Sequence, residues 1–120
     1  MTPNVAAATA FLKAMKNKDL SQAPLAENVS YDGPLSGELI RGRDLVSRFL
    51  GVYLPVINDV RLVRQIAEGD YVAMVWQAET SFGEISLVYV LRVEAGKIVE
   101  IRAFYDPRGF LERMGMWTGA

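Results

Sequence analysis

The most constraining feature of this chain is the run Leu87–Pro107, LVYVLRVEAGKIVEIRAFYDP. It is dense in Val, Ile, Leu, Tyr and Phe, whose branched and aromatic side chains suit a pleated, half-buried surface. Its one glycine falls in the middle, within Glu94–Ala95–Gly96–Lys97, where a positive φ costs glycine little. The run therefore reads as two long strands joined by a tight turn. Each arm of about nine residues spans about 30 Å at the usual rise of a strand. Two such strands in a chain of 120 residues belong at the centre of a sheet, and the rest must pack against them.

The length fits one domain over residues 1–120. With 51% apolar and 22% charged residues the composition is that of an ordinary globular core. The net charge is -1, from 13 basic and 14 acidic residues that are interspersed. That pattern leaves no basic footprint, so no nucleic-acid partner is expected. No apolar run reaches the ~18 residues of a membrane span, and Lys13, Lys16 and Lys18 interrupt any leader-like core in residues 1–20. There is no Cys, so there are no disulfides and no thiolate nucleophile, and a cytoplasmic location is expected. There is also no His, which removes the commonest general base and metal ligand. Chemistry would have to run on Asp, Glu, Tyr, Lys or Arg. No carboxylates share metal-ligand spacing, so neither a metal nor a cofactor is expected.

Taken in order, Thr2–Pro3 opens a helix with a hydroxyl cap and a proline in the first turn. Val5, Ala8, Phe11, Leu12 and Met15 form its apolar stripe. Asp19–Asn28 reads as a broken helical turn limited by Pro24, followed by a short strand at Val29–Tyr31. Asp32–Gly33–Pro34 and Gly37 mark a loop, with one short pairing at Ile40–Arg41. A second helix starts at Gly42–Arg43–Asp44 and stops near Leu54, before Pro55. Four strands follow, Val60–Ala67, Tyr71–Ser81, Ile85–Val93 and Ile98–Tyr105, joined by loops short enough to require antiparallel hairpins. A short helix from Pro107 to about Met114 and a tail packed by Trp117 complete the chain. Helices first and a meander last predict an α+β fold, with helices on one face of the sheet.

Alternation divides each strand into two sets. Val72, Met74, Trp76, Ala78 and Thr80 on one strand, Ile85, Leu87, Tyr89, Leu91 and Val93 on the next, and Val99, Ile101, Ala103 and Tyr105 on the last are predicted to face the helices. The outward sets mix Val75, Val88, Val90 and Phe104 with Arg92, Arg102, Gln77 and Glu79. An apolar patch of that kind usually marks an interface, so a homodimer through the outer face of the sheet is expected, isologous about a two-fold axis.

In order and spacing, the segments FLKAMKNKDL (Phe11–Leu20), Tyr31–Gly33 with Pro34, GRDLVSRF (Gly42–Phe49) and AGKIVEIRAFYDP (Ala95–Pro107) resemble the nuclear-transport-factor-2-like (NTF2-like) superfamily, in its SnoaL-like and ketosteroid-isomerase-like branch. The resemblance covers nearly the whole chain. It implies a cystatin-like cone, a curved antiparallel sheet wrapped by N-terminal helices around a mostly apolar pocket, often dimeric through the outer face. One fold of this kind hosts isomerases, cyclases, dehydratases, hydrolases and binders that catalyse nothing.

Position by position, the resemblance puts the oxyanion Tyr of ketosteroid isomerases on Phe11 and their oxyanion Asp on Tyr89. Their base position falls on Gly33, with Asp32 one residue away, and the epoxide-hydrolase Asp falls on Ala103. What the resemblance then implies is a SnoaL-like isomerase or cyclase acting on a small hydrophobic carbonyl compound. Asp32 is the expected base, its pKa raised by an apolar setting, and the Tyr89 phenol the donor to a developing enolate oxygen. Asp106 at the pocket mouth is a second carboxylate to weigh. Phe11, Met15, Tyr31, Phe49, Tyr53, Met74, Trp76, Leu91, Ile101 and Ala103 are the expected pocket residues. The plainer alternatives stand beside these: Asp32 as a turn residue before Gly–Pro, the aromatic residues as simple core, and the whole chain as a binding or dimerisation domain.

Overall fold

A computed structural model of the chain describes residues 2–108 and Glu112. Helix α1 (Pro3–Lys16) is capped by Thr2, whose hydroxyl accepts the Val5 backbone N–H at 3.2 Å. Strand β1 (Leu25–Asp32) and the two-residue β2 (Ile40–Arg41) lead into α2 (Arg43–Tyr53). The meander β3 (Ile57–Glu68), β4 (Tyr71–Thr80), β5 (Gly83–Glu94) and β6 (Lys97–Phe104) completes the sheet. The expected C-terminal helix beyond Arg108 and Trp117 lie outside the described residues.

The six strands run in the order β2-β1-β6-β5-β4-β3. The meander is antiparallel throughout, whereas β1 lies parallel to β6. The fold is α+β, with the helices on the concave side of a curved sheet. Helix α1 lies along β3 and β4: Asn4 Nδ2 donates to the Gly69 carbonyl at 2.9 Å, and Lys16 Nζ stands 3.7 Å from Asp59. Between these ends Ala7, Ala8, Phe11, Ala14 and Met15 are buried, whereas Val5 and Leu12 of the expected stripe are only partly so.

The inward sets of β4 and β5 stand as the alternation predicts. Val72, Met74, Trp76, Ala78 and Thr80 are buried, as are Leu87, Tyr89, Leu91 and Val93. On β6 the pattern is corrected at one point. Ile98, not Val99, is fully buried, because Val93 pairs with Ile98 while Arg92 already pairs with Glu100. Val99 is the extra residue of a bulge, and a bulge resets which side chains face the core.

Two further local differences have simple causes. The strand expected at Val29 begins at Leu25, since Pro24 ends the helical turn and its carbonyl accepts the Ile98 N–H at 2.8 Å. Pairing with β6 then breaks between Leu25 and Ser30, which hides the segment from a simple alternation test. Helix α2 starts at Gly42, whose φ of 98° lies where side chains are disfavoured. Its N–H donates to the Val29 carbonyl at 2.8 Å, fixing the helix to β1.

The β5–β6 turn places Ala95 at φ 50° and Gly96 at φ 76°. Two consecutive positive φ values match the type I′ hairpin that follows sheet twist, and Asn–Gly is its preferred sequence. Alanine at the first position carries left-handed strain that asparagine largely avoids. Ala95→Asn is therefore expected to stabilise the fold by about 0.5–1 kcal/mol, read from the urea midpoint at unchanged m-value.

Candidate functional site

A cavity opens where α2 faces the β4–β5 hairpin. Tyr31 from β1 and Leu35 from the following loop form one side, with Leu50 and Tyr53 of α2 above them. Val56, Ile57 and Val60 close a second side, Met15 comes from α1, and Tyr105 follows β6. The floor is the inward face of the hairpin: Trp76, Ala78, Thr80, Ile85, Leu87 and Tyr89. The volume is about 50 Å³, or about 560 Å³ when the open solvent outside it is counted in. A single water needs roughly 10–15 Å³ on the narrower measure, so the interior is a slit that widens outward.

Two runs of aromatic rings shape the slit. Trp76 packs on Tyr89 with ring centroids 4.5 Å apart, and Phe11 meets both, at 5.7 and 5.3 Å. On the other side Phe49 stands between Tyr31 at 5.0 Å and Tyr53 at 5.3 Å. Gly33 is required here for space. A Cβ at that position would lie 2.7 Å from the Tyr31 hydroxyl, so any side chain there displaces the ring. Thr80 is tied at the hairpin, its hydroxyl donating to the Gly83 carbonyl at 2.6 Å.

Of the residues expected from sequence, Met15, Tyr31, Tyr53, Trp76 and Tyr89 line the cavity. Phe11, Met74, Leu91 and Ile101 are fully buried toward the closed end of the cone, and Ala103 is buried beside them. Phe49 supports the wall from behind. Leu35, Leu50, Val56, Ile57, Val60 and Tyr105 were not among the expected lining residues. Ala78, Thr80, Ile85 and Leu87 were legible as inward-facing, but nothing in their alternation says which end of the cone stays open.

Asp32 does not line the cavity. It is exposed, because β1 sends Tyr31 inward and the next residue outward, opposite Arg102 of β6. A one-residue step along a strand reverses the face, and the loop does not undo that reversal. Asp106 is also exposed. Its hydrogen bonds from the Arg108 side chain and backbone hold its carboxyl down at about 2, which makes it a weak base. Among the described residues no cluster of three or more carboxylates could hold a metal ion.

The titratable groups of the wall are phenols. Burial raises Tyr31 far above its ordinary 10.0, and Tyr89, Tyr105, Tyr53 and Asp32 nearby push it further. Burial likewise raises Tyr89 and Tyr53, and takes Tyr105 up to about 12. All four are neutral hydroxyls at any ordinary pH. They can give or accept hydrogen bonds, but do not serve as bases. The Trp76 indole N–H has no hydrogen-bond partner, the one such buried side-chain atom among the described residues.

Up to pH 10 the folded and unfolded chains both keep these protons, so the phenols leave stability flat. Above it the unfolded chain releases protons that the folded chain retains. Stability is expected to fall there by about 1.4 kcal/mol per pH unit for each of the buried Tyr31 and Tyr89. Urea melts across the alkaline range check this. Tyrosinate absorbance from these two residues should appear only as near-ultraviolet circular dichroism is lost.

Comparison with known proteins places this geometry in a family. Residues 8–101 match the model of the SnoaL-like domain. No curated protein matches. Among solved structures, a protein from Kribbella flavida DSM 17836 is similar with a TM-score of 0.88 at 18% identity, covering 96% of each chain. A steroid delta-isomerase from Pseudomonas aeruginosa has a TM-score of 0.79 at 23% identity, covering 96% of this chain and 88% of that one. TerC co-crystallised with polyporic acid has a TM-score of 0.77 at 21% identity, covering 92% and 97%. At these identities the likeness is one of fold. The match of the family model over most of the sequence goes further: the chain belongs to the SnoaL-like domain family.

Proposed function

We propose that this chain is a ligand-binding member of the family, taking a small hydrophobic molecule into the slit between α2 and the β4–β5 hairpin. The observation that carries the reading is the make-up of the wall: aliphatic side chains, aromatic rings and neutral hydroxyls, with no charged side chain among the described residues. Ligand sites are typically apolar clefts with few polar groups that fix orientation. The fold shared with a steroid delta-isomerase and with a protein crystallised with polyporic acid supports a small organic ligand. Binding of this kind needs neither metal nor cofactor.

A second reading, a SnoaL-like isomerase or cyclase, is favoured by one observation. Asp32 directly follows the lining residue Tyr31 on β1, so a carboxylate lies one residue from the wall although it faces outward. In that reading Asp32 moves a proton beside a carbonyl and Tyr89 polarises the oxygen.

The two separate cleanly in one experiment. Steroid, terpenoid and polyketide fragments are screened by ligand-observed NMR, and binders are then assayed for turnover. For a binding protein, Asp32→Asn shifts affinity less than about twofold, as exposed substitutions usually do. Turnover by the wild type that Asp32→Asn abolishes would establish the enzyme instead. The absence of any binder would sink both.

We also propose a homodimer through the outer face. Cross-strand rows there read Arg64–Val75–Val88–Phe104 and Ile66–Ala73–Val90–Arg102–Asp32. Phe104 is 48% exposed and Ile66 61%, and the Arg102 guanidinium lies 5.5 Å from the Phe104 ring centre. Such a stripe suits an isologous contact, with charged residues around an apolar centre. Phe104→Glu is expected to yield a folded monomer by light scattering, with unchanged circular dichroism. A wild type that is monomeric at high concentration, or a variant that stays dimeric, would overturn the assignment.

A further inference from the structure

The slit is too small to bury a ligand as it stands. Its volume is about 50 Å³, against roughly 300–1,000 Å³ for sites that enclose a small organic molecule. Occupation therefore needs a wall to move. Most of the walls are fastened. Strands β4 and β5 pair residue for residue from Tyr71 with Arg92 to Thr80 with Gly83. Helix α1 is held by Phe11 on Trp76 and Tyr89, and β1 lies between β2 and β6. The remaining wall is the stretch after Leu50, which brings Tyr53, Val56 and Ile57 to the slit. It is weakly held at both ends. At one end Gly51 sits inside α2, where glycine destabilises a helix relative to alanine. No neighbour demands it, since a Cβ there would meet nothing within 4 Å. Its carbonyl also lacks the usual helical donor, because Pro55, four residues on, has no N–H. At the other end the register with β4 shifts between Ile57 and Asp59, so Asn58 is a bulge that breaks the ladder locally. Between these points Leu54 is the buried side chain, and the Ser81 N–H, donating to the Val56 carbonyl at 2.9 Å, fastens the stretch to the β4–β5 hairpin.

We propose that this slit is the closed form of the site, and that residues 52–57 are its gate, turning outward about Gly51 and Asn58 to admit a ligand. This rests on the ligand-binding reading above and adds how entry is controlled. Opening unwinds the last turn of α2 at its weakest residue and releases Val56 from Ser81. It also carries the Tyr53 ring away from Phe49, which it meets at 5.3 Å when closed. Leu54 stays in the core, so the stretch tilts about that side chain and can reclose. A ligand larger than the closed slit is held by the open form, and its apparent affinity is reduced according to how rarely the gate opens. Gly51 thus sets affinity without touching the ligand, for it does not line the cavity.

The test uses Gly51→Ala and the probe N-phenyl-1-naphthylamine, a neutral fluorophore larger than the closed slit. Alanine strengthens the helical turn that opening unwinds. The variant is therefore expected to unfold at higher urea and yet to bind the probe about two- to fivefold more weakly. Added bulk does not account for such a loss, since the new methyl meets open space. A glycine with only a structural role would give the gain in stability with no loss of affinity. A second variant combines Val56→Cys with Ser81→Cys in a chain that has no other cysteine. Its oxidised form, locked shut, is expected to bind the probe about tenfold more weakly than the same protein after dithiothreitol. Affinity that Gly51→Ala leaves unchanged or raises, or that is equal in the oxidised and reduced forms, would overturn the gate and leave the ligand-binding reading standing. A wild type that does not bind a probe of this size also overturns it, since the slit then does not open. The fragment screen above decides separately whether the ligand-binding reading falls too.

Discussion

The contact on which the rest depends is the meeting of Phe11 with Trp76 and Tyr89. One ring from α1 touches two rings on adjacent strands, all three nearly or fully buried. Aromatic pairs of this kind combine large buried area with a preferred geometry, so the cluster fixes both which face of the sheet is covered and how α1 lies on it. From it follow the closed end of the cone, packed by Met74, Leu91 and Ile101, and the open end, where α2 and the β4–β5 hairpin do not quite meet. The slit is the space that this packing leaves unfilled.

The chemistry of the slit is therefore a consequence of core packing. Position 11 holds a Phe and position 89 a Tyr, where the resemblance points to an oxyanion pair of Tyr and Asp. Phe11 removes a hydroxyl and adds contact area. Tyr89 takes part in the same cluster and stays protonated because it is buried. A wall of neutral donors and acceptors favours recognition of shape and of a single polar edge. Proton transfer would need a group that titrates near neutrality, and the described wall contains none.

Much of this was legible in the sequence, for identifiable reasons. Strict alternation on Tyr71–Thr80 and Leu87–Val93 reveals the inward set, because every second side chain must change face. The α1 stripe and the Ala95–Gly96 turn are equally direct. What was not legible turns on offsets of a single residue. The bulge at Val99 moves Ile98 into the core, and alternation at Tyr31 sends Asp32 outward, although a Gly–Pro loop follows immediately. Both depend on pairing between β6 and its neighbours, which no local pattern encodes. The open end of the cone was hidden for a related reason: inward residues near Thr80 and near Val72 look alike until the helices are placed.

The parallel neighbours β1 and β6 have a consequence for how the chain reaches this state. Ser30 pairs with Glu100, so the first long strand meets its partner only after about seventy intervening residues have been made. Loop closure over that distance has to be met before the pairing returns any stabilisation. The β3–β6 meander, built from neighbouring hairpins, has no such wait. During synthesis β1 (Leu25–Asp32) has no parallel partner until β6 (Lys97–Phe104) has been made. The Tyr31 side of the slit thus rests on a pairing, Tyr31 with Ile101, between strands far apart along the chain.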